Sequence, residues 1–277
     1  MITSILIPAH QEETTIGRCL SSLLMQAEPA EFHVIVAANG CTDNTADVAR
    51  TFPGVEVIEL AEGSKIGAVI AARERASQGP HIYLDGDLAI TTAAARALFA
   101  AVSEGKALAA IGRMDVDLSH ASFAVRQFYK AWRFSPYFDH GKFGGVYALS
   151  VEGQARIGHL PRLTNDDEFV SRQFTREEIV FVPEASFTAM APASFADLLK
   201  VRTRVQRGNR QLAARGAKAK GPGFKTFAAR VLPRPHLWLG FGIFTIVNLL
   251  AVVKARKAKA DAWERDDSSR RLRPGTV

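Results

Sequence analysis

Short β-branched apolar runs alternate with longer stretches of helical periodicity through the first hundred or so residues, and that alternation restricts the fold more than any other feature of the chain. A run such as Ile5-Leu6-Ile7 or Val34-Ile35-Val36 suits a strand buried on both faces, and the stretch that follows each is long enough for a crossover helix. The combination is the pattern of a parallel sheet covered by helices, a doubly wound α/β layer. Strands are expected over residues 4–7, 33–37, 55–60, 81–84 and 107–111, with helices over 14–25, 44–51, 65–77 and 92–103. In the first of these helices Ile16, Leu20, Leu23 and Leu24 share one face, spaced to lie on a sheet, and Thr14 or Thr15 supplies the N-cap.

Beyond Arg113 the pattern turns irregular and aromatic up to residue 140, with Phe123, Phe128, Tyr129, Trp132, Phe134, Tyr137 and Phe138 crowded together. Two readings are open for it, a packed subdomain or a partly apolar acceptor cleft. The pair Gly144-Gly145 then introduces a strand over 146–149, followed by an acidic helix start at 165–168. Short strands over 179–182 and 187–190 precede a basic helix over 194–215. The chain has no internal repeat.

At 277 residues with 47% hydrophobic content, the chain can bury a core as one large domain, or as one domain with an appendage, and it is not globally disordered. The net charge of +7 is unevenly placed: residues 200–277 carry +15 and residues 1–199 carry −8. An acidic body with a basic, apolar tail fits a membrane surface with anionic headgroups and argues against nucleic acid as a partner. Cys19 and Cys41 form no CxxC or Cys/His cluster, so neither a disulfide framework nor a zinc site is expected. The N-terminal apolar run is too short for a signal peptide and lacks a cationic flank, so the body is expected in the cytoplasm.

The tail divides into a Gly/Pro-containing linker at 218–222, a short basic amphipathic stretch with Phe224, Phe227, Ala228, Val231 and Leu232 at helical spacing, and an uncharged run over 237–253. The amphipathic stretch can lie flat on a bilayer. The 17-residue run would span roughly 26 Å as a helix against a hydrocarbon core of about 30 Å, the lower limit for crossing. Basic residues flank it on both sides, Arg230 and Arg234 before and Lys254, Arg256, Lys257 and Lys259 after, so spanning, in-plane and core-helix readings all stay open. The expected organisation is a catalytic domain over 1–215, a basic linker and amphipathic segment over 216–235, a membrane-associated helix over 236–254 and a disordered basic tail over 255–277. That places the protein at the cytoplasmic face of a membrane, peripheral or single-pass.

Ligands of open α/β sheets bind outside the carboxyl ends of the strands, and four such ends are polar here. They are Pro8-Ala9-His10-Gln11-Glu12-Glu13, Asn39-Gly40-Cys41-Thr42-Asp43, Glu62-Gly63-Ser64-Lys65 and Asp85-Gly86-Asp87. The first turn has no GxGxxG, which counts against a nicotinamide or flavin enzyme. Asp85 and Asp87 straddle a glycine after a buried-strand sequence, where two carboxylates repel unless a cation or donor compensates. Hard oxygen ligands of this kind suit Mg²⁺ or Mn²⁺, which can bridge two phosphates of a nucleotide. Lys65 begins a helix and can meet phosphate there, or remain a solvated lysine.

The first, second and fourth of these turns, in that order and spacing, resemble family-2 glycosyltransferases of the GT-A fold over residues 1 to about 210. The resemblance implies a Rossmann-like mixed sheet flanked by helices, carrying here a membrane-associated helical tail. It also implies a nucleotide-sugar donor, held at its nucleoside by Pro8, His10, Glu12 and Asn39, with Asp85 and Asp87 on ribose and a divalent metal. Thr164-Asn165-Asp166 looks like the family's Thr-Glu-Asp segment, which makes Asp166 the implied catalytic base, with Asp167 and Glu168 as competitors because Asn165 replaces glutamate. Residues 200–209 are similar to the segment that reads Gln-x-x-Arg-Trp in processive members, and they offer Arg204 or Arg207 to the diphosphate. Val201 and Val205 replace its Gln and Trp, so transfer of one sugar is expected, and Ala38-Asn39 replaces an aspartate pair that often reads the nucleobase. The implied reaction inverts the anomeric centre and delivers the sugar to an acceptor hydroxyl, of a sugar or of a lipid-linked acceptor, the latter expected from the basic, apolar tail alone. The alternatives are a sugar-phosphate nucleotidyltransferase, whose Gly-x-Gly-Thr-Arg-type loop the first turn lacks, and a membrane-tethered binding subunit that has lost activity.

Overall fold

The computed structural model describes residues 3–103, 105, 107–139, 141, 143–161, 163–215 and 223–257. Residues 216–222 of the expected linker and 258–277 of the expected tail lie outside them. Strand β1 (Thr3–Ala9) runs through the middle of the sheet with Ile5 and Ile7 on one face and Leu6 on the other, all fully buried. The chain continues through α1 (Ile16–Leu24), β2 (Phe32–Asn39), α2 (Thr45–Arg50), β3 (Val55–Leu60), α3 (Lys65–Arg75), β4 (His81–Leu84), β5 (Ala89–Ile90) and α4 (Thr92–Ser103). Then follow β6 (Ala109–Asp117), α5 (Phe123–Trp132), β7 (Val146–Leu149), α6 (Val151–Ile157), α7 (Asp166–Ser171), β8 (Ile179–Met190), α8 (Phe195–Ala214), α9 (Phe224–Val231) and α10 (Trp238–Lys257).

The sheet has eight strands in the order β3-β2-β1-β4-β7-β6-β8-β5. Pairs β1–β2, β2–β3, β1–β4 and β6–β8 are parallel, while β7 runs antiparallel to both β4 and β6, so the doubly wound half is joined to a mixed half. One core layer holds Ile5, Leu20, Leu23, Leu98 and Phe187, and the other holds Leu6, Ile35, Val69, Tyr83 and Tyr147.

Several expectations are corrected. Strand β6 starts at Ala109 and extends to Asp117, so the stretch after Arg113 opens as a strand rather than irregularly. The expected strands at 179–182 and 187–190 are one strand, β8, whose register with β6 shifts where Gly112 faces Val182 and Arg113 faces Ser186. A Cβ on Gly112 would lie 2.0 Å from the Ala185 carbonyl oxygen, so the bulged backbone is accommodated only by glycine. Thr15 holds the N-cap position of α1, but its hydroxyl donates to Glu12 Oε2 at 2.6 Å instead of capping the helix.

The aromatic stretch forms a packed layer. Phe128 stacks on Phe244 of α10 with ring centroids 5.2 Å apart, and Trp132 meets Tyr137 and Phe138 at 5.1 and 5.0 Å. Helix α9 does not present its whole apolar face outward, because Phe227 and Val231 are buried with Ala131 and Leu237. Phe224 and Leu232 remain exposed.

Candidate active site

The carboxyl ends of β1, β2 and β4 and the first turns of α3 and α7 surround a cleft of about 330 Å³. Pro8, His10 and Glu12 reach it from the end of β1, Asn39 from β2, and Asp85, Gly86 and Asp87 from β4. Gly63 and Lys65, Thr164 and Asp166, and Arg204 of α8 complete the wall. Of the expected donor-side residues, Arg207 is not on that wall; it is buried one turn further along α8.

The first two turns are tied to each other. Gln11 takes a left-handed backbone with φ of 56°, and its side-chain oxygen accepts from the Thr42 N–H at 2.8 Å while its amide donates to Thr42 Oγ1 at 2.7 Å. The Glu12 N–H donates to Thr45 Oγ1 at 2.7 Å, and His10 Nδ1 donates to the Asn39 carbonyl oxygen at 2.5 Å. Asn39 is buried, and its Nδ2 donates to the Ala9 carbonyl oxygen at 2.7 Å. A carboxylate in that place would set oxygen against oxygen, which is a physical reason for asparagine rather than aspartate there. Gly40, with φ of 57°, lets this turn approach Gly63: a Cβ on it would lie 2.5 Å from the Gly63 nitrogen.

The charged centre of the cleft is organised by Lys65. Ser64 caps α3 by accepting from the Gly67 N–H at 3.1 Å, which sets Lys65 on the first helical residue. Its Nζ lies 2.8 Å from Asp85 Oδ1, 3.1 Å from Asp166 Oδ2 and 3.9 Å from Asp167 Oδ1. The ammonium, with 31% of its side chain exposed, compensates the carboxylate that follows β4 and links it to one eighty residues later. Burial pulls the Lys65 ammonium downward, and Asp166, Asp167 and Asp85 together outweigh that and hold it well above the ordinary lysine range. Asp85 and Asp166 are both pushed up to about 6, chiefly by enclosure, against the lowering effect of Lys65. Asp166 keeps only 10% of its side chain exposed, against 32% for Asp85.

Asp85 is further fixed by its own N–H, which donates to the Gly145 carbonyl oxygen at 2.8 Å. Gly145 has φ of 84°, and a Cβ there would come 2.6 Å from Asp85 Oδ2. On the other side, Asn165 precedes Asp166 and is locked to α8: its Nδ2 donates to Asn209 Oδ1 at 2.9 Å and to the Val205 carbonyl oxygen at 3.3 Å. A Cβ on Gly208 would lie 2.4 Å from Asn165 Cγ. Glu168 is turned away from the cleft toward Arg172, whose Nε donates to its Oε1 at 2.9 Å.

Gly145 and Gly208 escaped the reading of the sequence as site residues. The signal for Gly208 was its position inside a long helix, where glycine costs about 1 kcal/mol relative to alanine and so marks a close approach. Thr164 was legible only as part of the Thr-Asn-Asp segment.

A family model described as glycosyl transferase family 2 matches residues 4–151, more than half of the chain. The chain belongs to glycosyl transferase family 2. The matched part of this glycosyltransferase carries the turns after β1, β2 and β4, whereas Asp166 and Arg204 lie beyond it. The 4,4'-diaponeurosporenoate glycosyltransferases of Staphylococcus aureus are 42% identical over 66 residues, 23% of this chain and 17% of theirs, so it aligns with under a fifth of their length. Among solved structures, the mannosyltransferase PcManGT from Pyrobaculum calidifontis in complex with GDP-Man and Mn²⁺ is similar at a TM-score of 0.61 and 17% identity, covering 93% of this chain and 76% of that one. Glucosyl-3-phosphoglycerate synthase from Mycobacterium tuberculosis, with Mn²⁺ and UDP-glucose, aligns at 0.55 and 18% identity over 80% of this chain and 82% of that one. Staphylococcus aureus TarS with UDP-GlcNAc aligns at 0.55 and 13% identity over 93% and 92%. At these identities the likeness establishes the GT-A fold, and the activities remain those of the neighbours.

Proposed function

We propose that this glycosyltransferase moves one sugar from a nucleoside-diphosphate sugar to a hydroxyl of a lipid-linked acceptor at the cytoplasmic face of a membrane, with inversion. The observation that carries the reading is the placement of Asp166 in the same cleft as Asp85 and Asp87, joined to Asp85 through Lys65. The nucleoside end falls to Pro8, His10, Glu12 and Asn39 and the diphosphate to Lys65 and Arg204. Asp166 takes the acceptor proton as the hydroxyl attacks the anomeric carbon from the face opposite the leaving group, the general-base step of a single displacement. Its raised pKa makes it a better base near neutral pH than an ordinary aspartate.

The donor set in the cleft fits Mg²⁺ or Mn²⁺: Asp85 and Asp87 offer hard carboxylate oxygens from one wall of the open cleft. Such an open site suits a cation shared with the donor, held by Asp87 and Asp85. When bound, the cation supplies positive charge to the departing diphosphate. Arg204 supplies charge to the same group. The apolar C-terminal helix supports a lipid-borne acceptor.

The test is a thermal-shift screen of GDP, UDP, ADP, CDP and dTDP with and without Mn²⁺, followed by hydrolysis or transfer assays with the sugar nucleotide of the base that binds. Mn²⁺-dependent stabilisation by one nucleoside diphosphate is expected. Stabilisation by none would overturn the reading in favour of an inactive binding subunit, and nucleotide exchange onto a sugar phosphate would favour the nucleotidyltransferase.

A further inference from the structure

Among the described residues one helical segment, residues 235–257, is long and apolar enough to cross a membrane, its most apolar 18-residue window having a mean hydropathy of 2.0. Its main helix, α10, has two unlike faces. Gly240, Val247, Ala251 and Ala255 are buried against α5 and α8. Gly240 approaches α5 so closely that a Cβ on it would lie 2.2 Å from the Gln127 carbonyl oxygen. Polar grips from α8 hold the same face: Arg202 donates twice to Asn248 Oδ1, at 2.7 and 3.1 Å, and Arg210 donates to the Ala255 carbonyl oxygen at 2.6 Å. The opposite face exposes Trp238, Leu239, Ile246, Leu249, Leu250 and Val253, each more than 40% exposed. At about 100° per residue these six fall within an arc of roughly 120°. Exposed Phe224 of α9 and Leu232 just after that helix continue the patch, the Phe224 ring stacking on Phe241 at 5.5 Å.

We infer that α10 lies in the plane of an anionic lipid surface, its exposed stripe sunk into the interfacial layer, and does not cross the bilayer. Crossing in this pose would carry α8, with Arg202 and Arg210 beside mid-helix and terminal positions of α10, into hydrocarbon, where charged side chains are strongly disfavoured. Detaching α10 in order to cross would strip those donors of their partners and uncover Phe128 and Val247. Charge selects the kind of surface. Residues 223–257 hold six Lys or Arg and no Asp or Glu, and Lys254, Arg256 and Lys257 are exposed at the end of the stripe, complementary to anionic headgroups. A tryptophan at the opposite end suits the headgroup level. Helix α8 stands between this face and the cleft, with Arg204 on the cleft wall and Arg202 on α10, so the surface holds the sugar-transfer site close to the lipid. In that last respect the inference rests on the proposed lipid acceptor; the in-plane pose does not.

The test uses the full chain and preformed vesicles of phosphatidylglycerol and phosphatidylcholine, or of phosphatidylcholine alone. Co-sedimentation with the anionic vesicles is expected, at least tenfold tighter than with the neutral ones. Leu249→Gln with Val253→Gln, on exposed positions that leave thermal melting unchanged, should weaken it at least tenfold, and Arg256→Glu with Lys257→Glu should abolish the preference for anionic lipid. In a Cys19→Ala, Cys41→Ser background, His236→Cys and Arg256→Cys should both react with an impermeant maleimide added outside sealed vesicles. Protection of either end would overturn the in-plane pose, and so would absence of vesicle binding with self-association that the Leu249 variant abolishes. A chain that binds vesicles with both ends labelled but stabilises with no nucleoside diphosphate would leave this inference standing and overturn the proposed function instead.

Discussion

The Lys65 ammonium stands 3.1 Å from Asp166 Oδ2 and 2.8 Å from Asp85 Oδ1, so a single cation joins the donor side of the cleft to the proposed base. Because Lys65 lowers the Asp166 pKa against the upward push of burial, the balance near 6 depends on it. The rate, limited by deprotonated Asp166, should fall as pH drops through about 6 in kcat/KM, which reports the free enzyme. Removing the cation in Lys65→Met removes a lowering influence, so the acid limb should move to higher pH. The variant should lose proportionally more activity at pH 6 than at pH 8. A limb that stays in place, with a uniform loss, would confine Lys65 to donor binding.

The same two carboxylates govern stability against pH. Each rests near 6 in the folded chain, above its ordinary 3.8, so each favours the fold fully below about pH 4 and loses that contribution as pH rises through 6. For the more enclosed Asp166 the change is on the order of 1–3 kcal/mol. Asp166→Asn removes a charge that is disfavoured at neutral pH, and Lys65 keeps Asp85 and Asp167 as partners. Its Tm should exceed that of the parent by roughly 2–6 °C at pH 8 and match it at pH 4. Transfer should drop by about 10²–10⁴-fold while nucleotide binding persists. Calorimetry at the two pH values and nucleotide titration check the two halves separately.

Gly208 and Asn165 meet where α8 crosses the start of α7, with no room for a Cβ. Gly208→Ala must displace either Asn165 or the helix, at about 1–3 kcal/mol for overpacking of this kind. Because Asp166 is the next residue, kcat should fall more than donor KM rises. Asn165→Ala alone breaks two hydrogen bonds, but combined with Gly208→Ala it empties the space the new methyl needs. The double variant should therefore be more stable than the sum of the single losses, read as a double-mutant cycle in urea. Strict additivity would mean that the contact does not position α7.

Much of this arrangement is legible in the amino-acid sequence. The strand limits 55–60, 81–84 and 146–149 coincide with those found, because each of these apolar runs is bounded by Gly, Pro or Asp, and the alanine-rich helix 92–103 also coincides. The convergence of Asp85, Asp87 and Asp166 in one cleft was implied by the resemblance to family-2 glycosyltransferases. Three features were not legible. The bulge between Gly112 and Ala185 depends on a partner strand about seventy residues away, and Pro183-Glu184 looks like a strand break when read locally. The aromatic run over α5 has no visible destination until Phe244 arrives from α10 to stack on Phe128. The partners of Lys65 were not legible, since a lysine at a helix start suits phosphate or solvent equally, and only the fold brings Asp85 and Asp166 to it.

Asn39 stands at the proposed nucleoside end of the cleft. Its amide donates to the Ala9 carbonyl oxygen at 2.7 Å and to that of Ala37 at 3.4 Å while the residue is 2% exposed. Asn39→Asp would place a carboxylate against both carbonyls with no proton to share. The side chain must then either take up a proton or swing out and leave buried acceptors unmet, at about 1–3 kcal/mol. The substitution should lower Tm more at pH 8 than at pH 5, since protonation restores a donor as pH falls. His10 Nδ1 donates to the main-chain carbonyl oxygen of residue 39, which the substitution keeps, so affinity for the preferred nucleoside diphosphate should fall only as far as the strained turn shifts, rather than move toward uridine. A gain in UDP affinity with unchanged Tm would show that residue 39 reads the base directly.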